Sequence, residues 1–111
     1  MLEEKFVKKI RETVINDGVN DYKELFETTK VEETSDLYWE NALTFYKKLD
    51  NTQREILFDI IRQVSLDTVS HMLGILDGTS FLDEFNETFK LSYGKIIING
   101  DLQDFLLEQE E

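Results

Sequence analysis

The segment from Ile56 to Leu76 carries apolar side chains at Ile56, Leu57, Phe58, Ile60, Ile61, Val64, Leu66, Val69, Met72, Leu73, Ile75 and Leu76. A narrow polar strip runs through Asp59, Arg62, Gln63, Asp67, Ser70 and His71. This spacing predicts a long helix, and a helix apolar around most of its circumference must be enclosed by other elements. Thr52 with Glu55 fits a capping box at its start, and Asp77-Gly78 closes it. Gly74 weakens the last turn, and a break, if there is one, falls at Ser65 to Asp67.

The flanking segments supply that enclosure. Leu2, Phe6, Val7, Ile10 and Val14 recur at helical spacing from Leu2 to Asn16, and Gly18 is expected to end this first helix. Glu3 and Glu4 stand at the positive end of its dipole and Lys8, Lys9 and Arg11 later, with Glu4 and Lys8 an i,i+4 pair. A second helix is expected from Asn20 to about Thr28, with Tyr22, Leu25 and Phe26 inward and Asp21, Glu24 and Glu27 outward. A loop follows. Ser35 or Asp36 caps a third helix to about Leu49, whose stripe Tyr38, Ala42, Phe45 and Leu49 is widened by Trp39, Leu43 and Tyr46. Beyond Gly78 the period changes: Phe89, Leu91 and Tyr93 alternate with Lys90 and Ser92, Gly94-Lys95 turns, and Ile96 to Ile98 return as a strand. Asn99-Gly100 ends that hairpin, and Asp101 is expected to cap a last helix with Leu102, Phe105 and Leu106 inward. The expected fold is α+β and predominantly helical. One compact domain, residues 1–111, holds about four to five helices around one long central helix, with a small β-hairpin near the C-terminus.

Charge decides the class of partner. Asp and Glu number 24 against 12 Lys and Arg, a formal net of −12, while 41 % apolar and 12 % aromatic residues provide for a real core. The excess is uneven: residues 1–16 carry four bases and three acids, so the remaining chain bears −13. Such a field repels phosphate backbones and anionic membranes, so neither nucleic acid nor a membrane is an expected partner, and a basic protein is. Without cysteine, thiolate metal sites, disulfides and thiol catalysis are excluded. Neither a leader segment nor an apolar run of membrane length is visible, and the expected location is the cytoplasm.

The stretch from Ile75 to Glu108 contains Ile75-Leu76-Asp77-Gly78, then Phe89-Lys90-Leu91-Ser92-Tyr93, then Asn99-Gly100-Asp101-Leu102-Gln103-Asp104-Phe105-Leu106-Leu107-Glu108. It resembles the tail of small acidic bacterial proteins of unknown function, over about a third of the chain. The resemblance implies a hairpin-plus-helix ending and a bacterial source, and it assigns no residue roles.

A candidate site must supply the donors that its chemistry needs. His71 follows Asp67 by one helical turn, but a transition-metal site wants three or four ligands and a triad wants a nucleophile in a strained turn. His71 is therefore read as structural or solvated. Gly94-Lys95 lacks the rest of a phosphate loop, and Asn16 to Asp21 does not match the calcium-loop spacing. No cofactor, metal or catalytic residue is expected. Two acidic stripes remain, Asp101, Asp104, Glu108 and Glu111 on the last helix and Asp21, Glu24 and Glu27 on the second. Carboxylates at the negative end of the last helix should fray it unless cations from the first helix or from a partner steady it. The third helix adds Tyr38 and Trp39, residue types enriched where proteins meet. The leading expectation is a non-enzymatic protein-binding module, an immunity- or antitoxin-like binder of a basic protein. The alternatives are a self-associating homodimer whose charge serves solubility and a carboxylate-based metal or small-ligand protein.

Overall fold

The structure, a computed structural model, describes residues 1–110. Leu2 to Thr28 is one continuous helical rod made of α1 (Leu2–Ile10), a π-helical turn (Arg11–Asn16) and α2 (Asp17–Thr28). The break expected at Gly18 is absent: Gly18 keeps negative φ inside α2. A glycine inside a helix costs about 1 kcal/mol, which the burial of Ile15 and Val19 on either side offsets. The π turn has its own packing logic. Val7 and Ile15 are both 0 % exposed in one core. Eight residues apart, they would stand about 80° apart around a regular helix. The wider π turn absorbs the extra residue and returns both to one side.

After a 3-10 turn (Val31–Glu33) come α3 (Leu37–Lys47) and α4 (Asn51–Asp77), then strands β1 (Ser92–Tyr93) and β2 (Ile96–Ile97), and last α5 (Leu102–Gln109). The fold is α+β and predominantly helical, as the sequence implied. Asp36 caps α3 by accepting from the Tyr38 amide at 2.8 Å. The α4 cap lies two residues before the expected one: Asp50 accepts from the Gln53 amide and Gln53 Oε1 from the Asp50 amide, a reciprocal box that Thr52 and Glu55 do not form. Helix α4 runs unbroken through Ser65 to Asp67 and ends on Gly78, whose φ of +84° only glycine adopts readily.

The aliphatic core lies where α1, the π turn, the C-terminal half of α4 and α5 meet, around Val7, Ile15, Leu66, Leu73, Leu102 and Leu106. Gly74 admits a close approach there. A Cβ on it would stand 2.7 Å from Ser80 Oγ and 2.9 Å from Gln103 Oε1. Gln103 Nε2 donates to the Ser70 carbonyl at 3.0 Å, and Thr79 Oγ1 donates to the Gly74 carbonyl at 3.2 Å. Asp101, expected to cap α5, makes no capping bond. Asp77 does so from the end of α4, its two oxygens accepting from the Gly100 amide at 2.6 Å and the Gln103 amide at 2.8 Å. Asn99 ties the hairpin down by accepting from the Leu91 amide and donating to the Leu76 and Phe89 carbonyls. In the hairpin Ser92 faces Ile97 and Tyr93 faces Ile96, with Gly94 at φ +61° in the two-residue turn.

The C-terminus of α5 is steadied from within. Arg11 Nη1 donates to the Gln109 carbonyl at 3.2 Å, and Arg62 Nη2 donates to Glu110 Oε1 at 3.1 Å. Arg11 Nε lies 3.2 Å from the same oxygen, off the hydrogen-bonding direction. The cation that the acidic end of this helix needs therefore comes from Arg11, next to α1, and from α4.

The shape is elongated, 49 × 32 × 24 Å, with a radius of gyration of 17.7 Å. A compact chain of this length has a radius near 13 Å. The accessible surface is 8183 Å², against about 6,400 Å² expected for this mass.

Candidate protein-binding groove

A second, aromatic cluster joins α2, α3 and the N-terminal half of α4. Phe26 lies 4.9 Å from Tyr46, the rings tilted, and 5.8 Å from Trp39, edge to face, and Phe58 lies 6.0 Å from both Phe26 and Tyr46. Arg54 lies over the Tyr46 ring at 4.2 Å and donates through Nε to the Tyr46 carbonyl, so it also holds the last turn of α3. The backbones of α3 and α4 seldom approach closely, and side chains bridge the gap.

The aromatic helix divides its residues between two faces. Around α3, Trp39, Leu43 and Tyr46 point into the cluster, whereas Tyr38, Ala42 and Phe45 point about 100° away and line a groove of about 430 Å³. Tyr22 and Phe26 of α2 and Leu57, Ile60, Ile61 and Val64 of α4 line the rest of it. Four of these side chains are mostly open to solvent: Tyr38 63 %, Phe45 56 %, Ile60 55 % and Val64 58 %. Ile56 is also exposed, so Ile56, Ile60 and Val64 form a β-branched ridge with a step of four along α4. Apolar side chains grouped in this way make the groove a candidate contact surface. Tyr22 and Leu25, expected to point inward, are exposed; only Phe26 of that trio is half-buried, because the rod continues past Gly18 and turns the face of α2.

The acidic stripes fall elsewhere. Asp21, Glu24 and Glu27 are exposed and lie on the side of α2 opposite Tyr22 and Phe26. Asp101, Asp104 and Glu108 are exposed on one face of α5, opposite buried Leu102 and Leu106, at the aliphatic end of the molecule. Glu111, the fourth member of that stripe, lies outside the described residues. The structure thus separates Asp101, Asp104 and Glu108 from Tyr38 and Trp39. Of the last two, Tyr38 borders the groove, and Trp39 lies behind it, 5.3 Å from Tyr38 edge to face.

The segment that carries the groove is acidic as a whole. Residues 17–67 contain twelve Asp and Glu and six Lys and Arg. None of those twelve carboxylates is in an ion pair among the described residues. His71 is exposed, and Asp67 accepts from Gln63 Nε2 at 2.9 Å. Among the described residues no three His, Asp or Glu side chains are grouped to hold a metal ion, and no helix is long and apolar enough to cross a membrane. The two stripes of α3 are visible in the sequence; the structure reverses their ranking, burying Leu43 and Tyr46 and leaving Tyr38 and Phe45 exposed. No family model, curated protein or solved structure matches the chain.

Proposed function

We propose that this protein is a non-enzymatic binding module for a basic protein, of the immunity or antitoxin kind, and that its docking site is the α2–α3–α4 groove. One observation carries this reading: an apolar groove lies open in a chain of net charge −12. Exposed apolar side chains support it. The exposed Tyr38, Phe45, Ile60 and Val64 side chains along the groove would be covered by such a partner. Apolar contact would supply affinity, and the carboxylates would speed encounter with a cationic partner and reject anionic ones. A second copy is the alternative occupant, favoured by the Ile56, Ile60 and Val64 ridge, whose step of four matches the commonest helix-packing class. That arrangement brings two strongly negative chains together.

Affinity capture from the source cell tests the proposal with two baits, the wild-type chain and the Phe45→Asp, Ile60→Asp double variant. A basic protein held near stoichiometrically by the wild type, lost with the variant and weakened near 1 M salt, where the screening length falls to about 3 Å, is the expected outcome. Equal recovery by both baits, or recovery of acidic partners alone, overturns it.

A further inference from the structure

We infer that the groove seats a single amphipathic α-helix of that basic partner, with an apolar stripe inward and Lys or Arg along its flanks. This rests on the binding proposal above and adds the form of the ligand. All three walls are helices, so the groove offers no free strand edge. Ser65, at one end, spends its hydroxyl on the Ile61 carbonyl at 2.8 Å. An extended peptide lying on Ile60, Ile61, Leu57 and Phe45 would leave its backbone amides and carbonyls without partners in an apolar site. A helix satisfies them internally and presents only side chains.

Dimensions agree with this choice. Leu57 to Ser65 spans about 12 Å of α4, a little over two helical turns. A guest helix would engage it through apolar residues at i, i+4 and i+7. The gap between α3 and α4 is the place that a further helix takes in a bundle, where axes stand 8–10 Å apart. Charge complementarity acts through the whole chain: its net charge of −12 favours a guest helix whose exposed side chains are cationic.

The test is a nuclear magnetic resonance titration of the labelled full-length chain with three designed peptides of about 16 residues, long enough for helix formation in water. The first has leucines at helical spacing and lysines elsewhere; the second has the same composition with leucine and lysine alternating in a strand pattern; the third is the first with glutamate for lysine. The expected result is saturable binding of the first, with shifts centred on Tyr22, Tyr38, Phe45, Ile60 and Val64. At least tenfold weaker binding is expected for the other two, and for the first with Ile60→Asp. Val64→Lys should weaken the first peptide again, so the outcome does not hang on one variant. Equal binding of the strand-pattern peptide, shifts centred away from the groove, or a free chain that sediments as a dimer dissociated by Ile60→Asp each overturn the inference. The first of these leaves the binding proposal standing, because the partner then binds the same groove as an extended segment. The capture experiment judges that proposal independently.

Discussion

Replacing Asp77 by Ala removes the carboxylate that joins the end of α4 to the start of α5. Two amides lose their acceptor, those of Gly100 and Gln103, at 2.6 and 2.8 Å. A hydrogen bond to a charged group is worth about 1.5–3 kcal/mol when buried. Asp77 is half-exposed, and water replaces part of what is lost. A cap deletion alone costs about 1 kcal/mol, and the carboxylate also meets the positive end of the helix dipole, worth another ~0.3–1 kcal/mol. With the second amide adding about 1 kcal/mol more, the expected cost of Asp77→Ala is about 2–3 kcal/mol, on the order of a 10 °C drop in melting temperature for a chain of this size. Asp77→Asn keeps one acceptor and loses the charge, and should cost about half as much. Urea titration followed by far-UV circular dichroism measures both, with the m-value as the check that the denatured state is unchanged. The control is Asp101→Ala, the residue whose sequence position suggests the cap and whose side chain makes no capping bond; it should stay within about 0.5 kcal/mol of wild type. A cost for Asp101→Ala equal to that of Asp77→Ala would refute the reasoning.

Gly74→Ala places a methyl against Ser80 and Gln103 and should destabilise by about 1–3 kcal/mol despite the better helix propensity of alanine; a stabilised variant in the same titration would show that the contact gives way freely. Deleting exposed Thr13 lets the π turn close as ordinary helix and leaves Val7 and Ile15 about 20° apart, so the chain should stay folded with little loss, whereas a chain unfolded by the deletion would contradict the packing account. Phe58→Ala, in the middle of the aromatic cluster, should cost about 3–5 kcal/mol and remove most of the near-UV signal of Trp39. An unchanged near-UV spectrum would mean that α3 is held by other contacts.

How legible each part was depends on how local its cause is. Helix α4 was readable because its pattern spans many turns and its length outvotes Gly74. The hairpin was readable because Gly94-Lys95 separates two short apolar runs and the turn chemistry is contained in two residues. Gly18 misled because a glycine ends a helix only if nothing beyond it must be buried, and here Val19 and Phe26 must. The π turn could not be read, since it answers to the common burial of Val7 and Ile15 against α4 and α5. Capping by Asp77 was equally hidden: its amides lie 23 and 26 residues later in the chain. At the site, residue type points to Tyr38 and Trp39 but not to their opposite fates. Period alone showed a wide aromatic face, and the missing fact was that α3 stands off from α4 and leaves one half of that face uncovered.

Photo-crosslinking from single positions in the source cell bears most directly on the claim that the groove is the working surface. A crosslinker at Val64 should capture a basic protein, with the crosslink falling inside a helical segment of it, while one at Asp104 on the α5 stripe should capture little. Capture from Asp104 alone, or a Val64 crosslink to a second copy of the same chain, would contradict the account.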